Sequence, residues 1–321
     1  MKSERIQKLD NIPTLIMLVG IVGSGKSTYA KSLKDDYTIH SSDALREEMF
    51  GDVNENSKES NAKLFEELHR RIKRDLQNGN NVVYDATNIN RKRRINFLRE
   101  IKNISCYKVC HLVMSPYYLC IRRNRCRERF VPEEVIKRMY MNFQPPHKSE
   151  GWDEIDIILS CKKKDFKDYK IEILYNFATG INYFNQDNKH HSFTLGEHCR
   201  KAKEYVTEHY PTNQILYDIA LIHDEGKVFT RTIINSKGIK DGDCHYYQHH
   251  CVGAYNSIFY MLNKGYEIDE ILHAASVIFF HMHPYNEWKD NKKLEERMKL
   301  QIGGTLYNDI IALHEADKYA H

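Results

Sequence analysis

The sequence contains 321 residues, of which 41% are hydrophobic and 29% are charged, a composition typical of a globular protein long enough for two domains. No apolar run approaches the roughly 20 residues that span a bilayer, and the polar start MKSERIQKLD lacks the apolar stretch of a secretory signal. We therefore expect a cytoplasmic protein with no membrane partner. The eight cysteines form no CxxC pair, which favours free thiols over a disulfide framework.

The net charge of +4 is small, but the basic residues cluster in the first half of the chain. The two runs are RKRR at 91–94 and RRNRCRER at 122–129. Such runs occur on solvated helix faces and also suit phosphate-rich ligands. The sequence leaves both interpretations open.

The first half alternates short β-branched segments with amphipathic ones. Strand–helix alternation is typical of a doubly wound parallel sheet, because each crossover connection is right-handed. We predict an α/β domain with strands at 14–20, 36–42, 80–88, 105–114 and 152–159, and helices at 25–35, 61–79, 91–103, 116–130 and 132–144.

From about residue 186 the helical period dominates, which predicts an all-α helical bundle. The predicted domains are 1–160 and 189–321, joined by a final strand and linker at 161–188. Helices in the second domain are predicted at 194–210, 212–226, 249–265, 268–284, 293–300 and 306–320.

Residues 20–27 read GIVGSGKS and match the GxxxxGK[ST] pattern in full, between a predicted strand and a predicted helix. In this pattern the glycines let backbone N–H groups cradle phosphate oxygens. Lys26 is expected to reach the β- and γ-phosphates and to be catalytic, and Ser27 to bind Mg²⁺. The residues predicted to bind ATP, or another NTP, are Gly20, Gly23, Ser24, Gly25, Lys26, Ser27 and Thr28.

Further charged residues follow the predicted strands. Asp43 is placed to take a proton from an attacking hydroxyl, and Arg46 one turn later to hold a phosphate, with a plain i,i+3 ion pair as the alternative. Asp85 ends the third strand and is a candidate second anchor for Mg²⁺. Arg123 and Arg127 lie on one helix face, which suits clamping a transferring phosphoryl group, with a solvated charged face as the alternative.

These motifs together resemble the phage-type polynucleotide 5′-hydroxyl kinase family over residues 12–160: the P-loop, the DxxR, the sequence DATN, and arginines ahead of VPEEVIKRMY. The resemblance implies that the P-loop binds ATP and Mg²⁺, that Asp43 is the general base on a 5′-hydroxyl, and that Arg46 holds the acceptor phosphate. It also implies that Arg127, together with Arg123, is the lid arginine. The DxDGT phosphatase motif that often accompanies this family is missing from the sequence.

Histidines and aspartates recur along the helices predicted in the second half. Neutral imidazoles and carboxylates are ligands of divalent transition metals, and inward-facing ligands on several helices are typical of a metal site in a bundle. For any one histidine, a core or surface position is the alternative. The predicted ligands are His198, His223, Asp224, His249 or its neighbour His250, His281 or His283, and Asp317, with His223 and Asp224 expected to be catalytic and Asp224 able to bridge two ions.

The order H…HD…H…H…D over residues 186–321 resembles the HD-domain phosphohydrolase superfamily. More narrowly, HDEGKVFTRT…HYYQHHCVGA resembles the HD domain appended to tRNA nucleotidyltransferases and related end-processing enzymes, in which His249 aligns as the ligand and His250 as its neighbour. This resemblance implies one or two divalent transition metals and metal-dependent phosphate removal. Lys227 and Arg231 are expected to bind the substrate's phosphate oxygens, with exposed loop charges as the alternative.

The two halves together predict a bifunctional nucleic-acid end-healing enzyme. It would phosphorylate 5′-hydroxyl ends with ATP and remove a 2′,3′-cyclic, 2′- or 3′-phosphate, and RNA is favoured over DNA as the nucleic acid on which it acts. A separate polynucleotide ligase is an expected partner. One alternative is a nucleoside or metabolite kinase fused to an HD nucleotidase, and another is a non-catalytic, NTP-gated regulatory module.

Overall fold

The structure is a computed structural model that describes residues 12–52, 55, 57–127, 129–162, 183–188 and 192–321. Its contacts divide the chain into two compact units. The first contains residues 1–131 and 150–160, and the second contains residues 132–149 and 161–321. The boundaries at 160 and 189 stay predictions, and most of the predicted strand and linker at 161–188 lies outside the described residues.

The first unit contains a five-stranded sheet in the order β2-β3-β1-β4-β5. Every neighbouring pair is parallel, which confirms the parallel α/β sheet that the strand–helix alternation predicted. The strands are β1 (Thr14–Val19), β2 (Thr38–Ser41), β3 (Val82–Asp85), β4 (Tyr107–Met114) and β5 (Glu154–Leu159).

The helices of this unit follow the strands, with one that the sequence did not predict, α2, directly after β2. In the longest helix, α3, the buried apolar residues recur every four positions at 64, 68, 72 and 76, which places them on one face. The side chain of Ser57 accepts the backbone N–H of Ser60 and caps its start. The helices are α1 (Lys26–Ser32), α2 (Ser42–Phe50), α3 (Lys58–Gln77), α4 (Arg91–Glu100) and α5 (Tyr117–Arg125).

The sheet brings the predicted kinase residues to one edge, because the carboxyl ends of parallel strands lie together. Leu18, near the end of β1, is in register with Asp85 at the end of β3. Ser41, at the end of β2, is also in register with Asp85. Asp43 lies in the first turn of α2, two residues beyond that strand end.

The second unit is helical in its described part, which confirms the C-terminal helical region. In α10 every residue from Cys251 to Met261 is buried, so this helix is central to its core. Tyr140 of α6 packs edge-on against Tyr255 at 5.0 Å between ring centroids. The helices are α6 (Glu133–Met141), α7 (Leu195–His209), α8 (Gln214–Ile222), α9 (Lys227–Thr230), α10 (His249–Lys264), α11 (Ile268–Phe280), α12 (Lys292–Ile302) and α13 (Gly304–Tyr319).

None of the helices in the described part of the chain is both long enough and apolar enough to cross a membrane.

Candidate nucleotide and metal sites

The P-loop joins β1 to α1 and depends on glycine at two positions with positive φ. Gly23 has φ +82°, and a Cβ added there would lie 2.4 Å from the carbonyl oxygen of Cys120. Gly25 has φ +99°, and a Cβ there would lie 2.6 Å from Ser160 Oγ. A side chain at either position would therefore be strained and would also clash. Lys26 begins α1, and its ammonium donates to the carbonyl of Ile21 at 2.9 Å.

Charges of both signs act on the buried Lys26 ammonium. Burial lowers the pKa of Lys26, whereas the carboxylates of Asp85 and Asp43 raise it and the charge of Arg127 lowers it. Burial raises the pKa of Asp85, whereas the charge of Lys26 and a hydrogen bond from Ser27 lower that pKa. The structure thus brings the predicted phosphate-binding lysine, both predicted carboxylates and the predicted lid arginine within electrostatic reach of one another.

Asp43 forms an ion pair with a residue that the sequence reasoning missed. Arg129 Nη1 lies 2.6 Å from Asp43 Oδ2. Arg46, the arginine of the DxxR pattern, instead donates to the carbonyl of Glu55 and to Asn61 Oδ1, the latter at 2.9 Å. The carboxylate of the proposed base therefore has a partner from the basic run at 122–129 and not only from its own helix.

Arg123 lies on α5 and supports the P-loop, but α5 ends at Arg125, so the prediction that Arg123 and Arg127 share one helix face is wrong. Its guanidinium donates to the carbonyl of Gly23 at 3.3 Å, to Ser115 Oγ at 2.8 Å and to the carbonyl of Ser160 at 2.6 Å. These contacts tie α5 and the ends of β4 and β5 to the phosphate-binding loop. The predicted direct role of Arg123 with ATP stays a prediction, and its contacts add a supporting role.

The RKRR run at 91–94 is not a uniformly solvated face. Arg94 is 1% exposed, and its Nε and Nη2 each donate to the Glu150 carboxylate at 2.7 Å. Its Nη1 also donates to the carbonyl of Asn88 at 3.0 Å, and the Asn88 amide donates to the carbonyl of Leu18 at 2.9 Å. Arg94 therefore holds the DATN turn against the end of β1, which carries the P-loop.

The first group of predicted metal ligands lies together in the helical unit. His198 Nε2 lies 2.9 Å from Asp317 Oδ1 and 3.4 Å from Asp224 Oδ2. His223 Nε2 lies 3.5 Å from each of the same two carboxylate oxygens. All four residues are buried, and their ligand atoms all lie within 4.8 Å of one another. His223 and Asp224 directly follow α8.

A second group shares the same aspartate. Asp224 Oδ1 lies 3.2 Å from His249 Nε2 and 3.5 Å from His281 Nε2. The alternatives that the sequence left open lie beside this group, with His250 packed on Phe279 and His283 Nδ1 3.9 Å from Glu287. The two oxygens of Asp224 therefore face two separate pairs of histidines.

A glycine brings the two groups together. A Cβ added to Gly226 would lie 2.0 Å from the carbonyl oxygen of His249, so only glycine lets the chain after Asp224 pack directly on the start of α10. The sequence places this glycine two residues after the His–Asp pair, and its close approach sets the distance between Asp224 and His249.

The four histidines present the same nitrogen inward. Because a carbonyl only accepts, an Nδ1 that bonds a carbonyl carries the proton, and the Nε2 then offers a lone pair to the centre. Inward-facing lone pairs beside two carboxylates are the donor set that divalent transition metals take, so the residues fit a metal site. The Nδ1 contacts are His198 to Ala320 at 3.2 Å, His223 to Ala220 at 2.8 Å, His249 to Tyr246 at 2.7 Å and His281 to Ile278 at 2.6 Å.

The electrostatics of the cluster favour positive charge at its centre. Burial alone would lower the pKa of His198, but hydrogen bonds to Asp224 and Asp317 raise it to about 9. Burial would raise the pKa of Asp224, but the charges of Lys227 and His223 hold it well below its usual value. A cation among these groups would be stabilised in the same way as the proton on His198.

The two predicted phosphate-binding residues next to the His–Asp pair have different surroundings. Lys227 is 5% exposed and its ammonium lies 2.6 Å from Asp224 Oδ2 and 2.9 Å from Gln186 Oε1. Arg231 is partly exposed and pairs with Asp187. Lys227 is thus part of the cluster wall and not an exposed loop charge, and Gln186 is a buried polar residue that the sequence analysis did not identify.

Comparisons with known proteins find a matching family model and a similar kinase. The family model described as AAA domain matches residues 15–146. An L-seryl-tRNA(Sec) kinase from Methanococcus maripaludis is 30% identical over 171 residues, which are 50% of this chain and 64% of that protein. Together these similarities identify a kinase-like P-loop domain.

Two solved structures are similar at lower identity. A chain of the Pnkp1/Rnl/Hen1 complex is 23% identical with a TM-score of 0.33, and the match covers 38% of this chain and 42% of that one. A gluconokinase from Sinorhizobium meliloti is 16% identical with a TM-score of 0.35, and the match covers 52% of this chain and 99% of that one.

Proposed function

We propose that the protein is a bifunctional nucleic-acid end-healing enzyme, with a polynucleotide 5′-hydroxyl kinase in its first unit and an HD-type phosphohydrolase in its second. The observation that carries the proposal is the Asp224 carboxylate, whose oxygens each face a separate pair of inward-pointing imidazoles. Such a cluster, in a chain that also carries a complete P-loop, supports two opposite phosphate chemistries.

In the kinase reaction, the oxygen of a 5′-hydroxyl attacks the γ-phosphorus of ATP, the bond from that phosphorus to the bridging oxygen breaks, and ADP leaves. Asp43 accepts the proton of the hydroxyl. Lys26 and Arg127 oppose the negative charge on the phosphoryl oxygens. Ser27 and Asp85 would hold Mg²⁺, which neutralises the β- and γ-phosphates when bound.

In the hydrolase reaction, a water oxygen attacks the phosphorus of a 2′,3′-cyclic, 2′- or 3′-phosphate. The bond from that phosphorus to a ribose oxygen breaks, and a proton of the water passes to the ribose oxygen. A pair of divalent ions, when bound, supplies Lewis acidity and lowers the pKa of water. Lys227, held on the cluster wall by Asp224 and Gln186, adds positive charge beside the phosphate. The residues that would hold the ions are His198, His223, Asp224, His249, His281 and Asp317.

The two activities make sense together on one substrate class. Metal-independent cleavage of RNA leaves a 5′-hydroxyl on one fragment and a 2′,3′-cyclic phosphate on the other. Both ends must be converted before a ligase can join them. We therefore propose RNA ends as the substrate, with DNA ends as the alternative, and a separate polynucleotide ligase as the partner that uses the products.

The similarity to an L-seryl-tRNA(Sec) kinase favours a second candidate for the kinase acceptor. In that case the first unit would phosphorylate a hydroxyl carried by an aminoacylated tRNA. The same Asp43 and P-loop would serve, because the attacking group is again a hydroxyl. The two candidate kinase functions differ in the acceptor hydroxyl and not in the phosphate donor.

The experiment that tests the proposal follows both reactions with purified protein and two variants. Transfer from γ-labelled ATP is measured to a 5′-hydroxyl RNA, the same DNA, seryl-tRNA and a panel of nucleosides, and phosphate release is measured from 3′-phosphate and cyclic-phosphate RNA. Lys26→Ala should abolish the transfer alone, and Asp224→Ala the phosphate release alone. Transfer only to nucleosides or seryl-tRNA would overturn the polynucleotide assignment, and a phosphate release that persists in Asp224→Ala would overturn the second site.

A further inference from the structure

Two arginines of the same basic run act on different residues of the proposed kinase site. The charge of Arg127 acts on the Lys26 ammonium in the P-loop. Arg129, two residues later, contacts Asp43 at 2.6 Å. The run therefore places positive charge near the phosphate-binding lysine and an ion-pair partner on the carboxylate that would accept the proton of the attacking hydroxyl.

The contact of Arg129 restrains a carboxylate that is partly exposed. The side chain of Asp43 is 49% exposed in this ion pair, whereas that of Arg129 is 26% exposed. A half-exposed aspartate in the first turn of a helix has several rotamers of similar energy. An ion pair that exposed contributes little to stability, so its value lies in orientation.

The motif arginine does not perform this task in the structure. Arg46 is 7% exposed and donates to two neutral oxygens, the carbonyl of Glu55 and the amide oxygen of Asn61. It is thus fixed by its own surroundings, and its guanidinium is directed to groups other than the base. Among the residues that the structure describes, Arg129 is the cation that forms an ion pair with Asp43.

We infer that Arg129 is a positioning residue of the kinase, which orients Asp43 towards the acceptor hydroxyl and so joins the placement of the base to that of Arg127. The inference rests on the proposed kinase function. Arg129 contacts Asp43 and acts through that carboxylate. Its loss therefore slows proton acceptance during transfer and leaves nucleotide binding unchanged.

The test is a comparison of Arg129→Gln, Arg129→Lys and Arg122→Gln in the full chain. Arg122 is an exposed arginine of the same run, so its variant removes the same charge without the contact to Asp43. We expect Arg129→Gln to lower the single-turnover rate of phosphoryl transfer at least tenfold. The KM for ATP should stay within about twofold of the wild type and the Tm within about 2 °C, roughly the limits of such measurements. Arg129→Lys should restore part of the rate, and Arg122→Gln should match the wild type.

Three results would overturn the inference. The first is a rate for Arg129→Gln within twofold of the wild type, and the second is an equal loss in Arg122→Gln. The third is a fall in Tm or a rise in the KM for ATP that accounts for the lower rate, as a structural role would give. If the wild-type protein phosphorylates only small acceptors, the polynucleotide proposal is overturned, but the rates of the variants with those acceptors still test the role of Arg129. If the wild-type protein transfers phosphate to no acceptor, both proposals are overturned.

Discussion

The Nε2 atoms of His249 and His281 lie 3.2 Å apart, although the Nδ1 of each already bonds a backbone carbonyl. Two imidazoles fixed in this tautomer direct lone pairs at each other, which is unfavourable unless a cation lies between them. His198 and His223 repeat the arrangement, with their Nε2 atoms 3.3 Å apart. The donor geometry therefore suits one cation at each pair.

The first prediction concerns metal content. Wild-type protein should retain a divalent ion in each of the two ligand groups, and His198→Ala should lose the ion of its own group. Asp224→Ala should lose both, because this carboxylate belongs to both groups. Elemental analysis after dialysis measures the content, with His209→Ala, an exposed histidine of α7, as the control. Equal metal content in Asp224→Ala and the wild type would contradict the shared ligand.

The second prediction separates backbone strain from steric clash in the P-loop. Gly23 and Gly79 both have φ +82°, but a Cβ at Gly79 meets nothing within 4 Å, whereas one at Gly23 meets the Cys120 carbonyl at 2.4 Å. Gly79→Ala should cost only the strain of a positive φ, about 1 kcal/mol of unfolding free energy. Gly23→Ala should cost more and should weaken the binding of an ATP analogue at least tenfold.

Urea unfolding and titration with a fluorescent ATP analogue measure the two effects. If Gly23→Ala and Gly79→Ala lose equal stability and both bind the analogue normally, the close approach of Gly23 to α5 is not needed for the loop.

The third prediction concerns the buried pair of Arg94 and Glu150, whose side chains are 0% exposed. Glu150→Gln removes one charge and leaves the other buried without its counterion, which typically costs 3–5 kcal/mol, so we expect a loss of about that size. Because Arg94 also holds the carbonyl of Asn88, the variant should weaken nucleotide binding as well. Chemical unfolding measures the loss. Glu48→Gln breaks an exposed ion pair with Arg71 and should leave the free energy of unfolding nearly unchanged. An equal loss of stability in Glu150→Gln and Glu48→Gln would contradict the importance of the buried pair.

Much of the fold could be predicted from the sequence because the signals are local. The run TLIMLV is apolar after its first residue, as expected for a strand buried on both faces of a parallel sheet, and it forms β1. Helix α2, with the sequence SDALREEMF, was missed because its apolar residues Leu45, Met49 and Phe50 span fewer than two turns, which is too short for a periodic signal.

In the candidate sites, too, the local signals could be predicted from the sequence and the tertiary contacts could not. The P-loop is contiguous, so its pattern alone identified it. His249 and His250 are adjacent on α10 and point about 100° apart, so only the packing of that helix decides which one faces Asp224. Arg129 was indistinguishable from the other arginines of its run, because its contact with Asp43 depends on tertiary placement.

The last prediction follows from a histidine buried in the sheet. His111 of β4 is 9% exposed, with its Nδ1 3.0 Å from the hydroxyl of Tyr29 and its Nε2 3.8 Å from Asp156. Burial lowers the pKa of His111 to about 4, against the opposing effect of Glu154. Between that value and the ordinary value of 6.5, the unfolded chain binds a proton that the folded chain does not. Stability is therefore fully present above pH 6.5 and is lost as the pH falls towards 4.

The contribution of this one residue to the loss amounts to at most about 3 kcal/mol. His111→Gln should remove it, so that the free energy of unfolding of the wild type falls relative to that of the variant as the pH falls from 7.5 to 4.5, roughly the window between the two pKa values. Urea unfolding at several pH values measures the difference, with His209→Gln as the exposed control. Parallel curves for the wild type and His111→Gln would show that His111 titrates alike in the folded and unfolded chain, and that its burial between β1 and β5 does not exclude the proton.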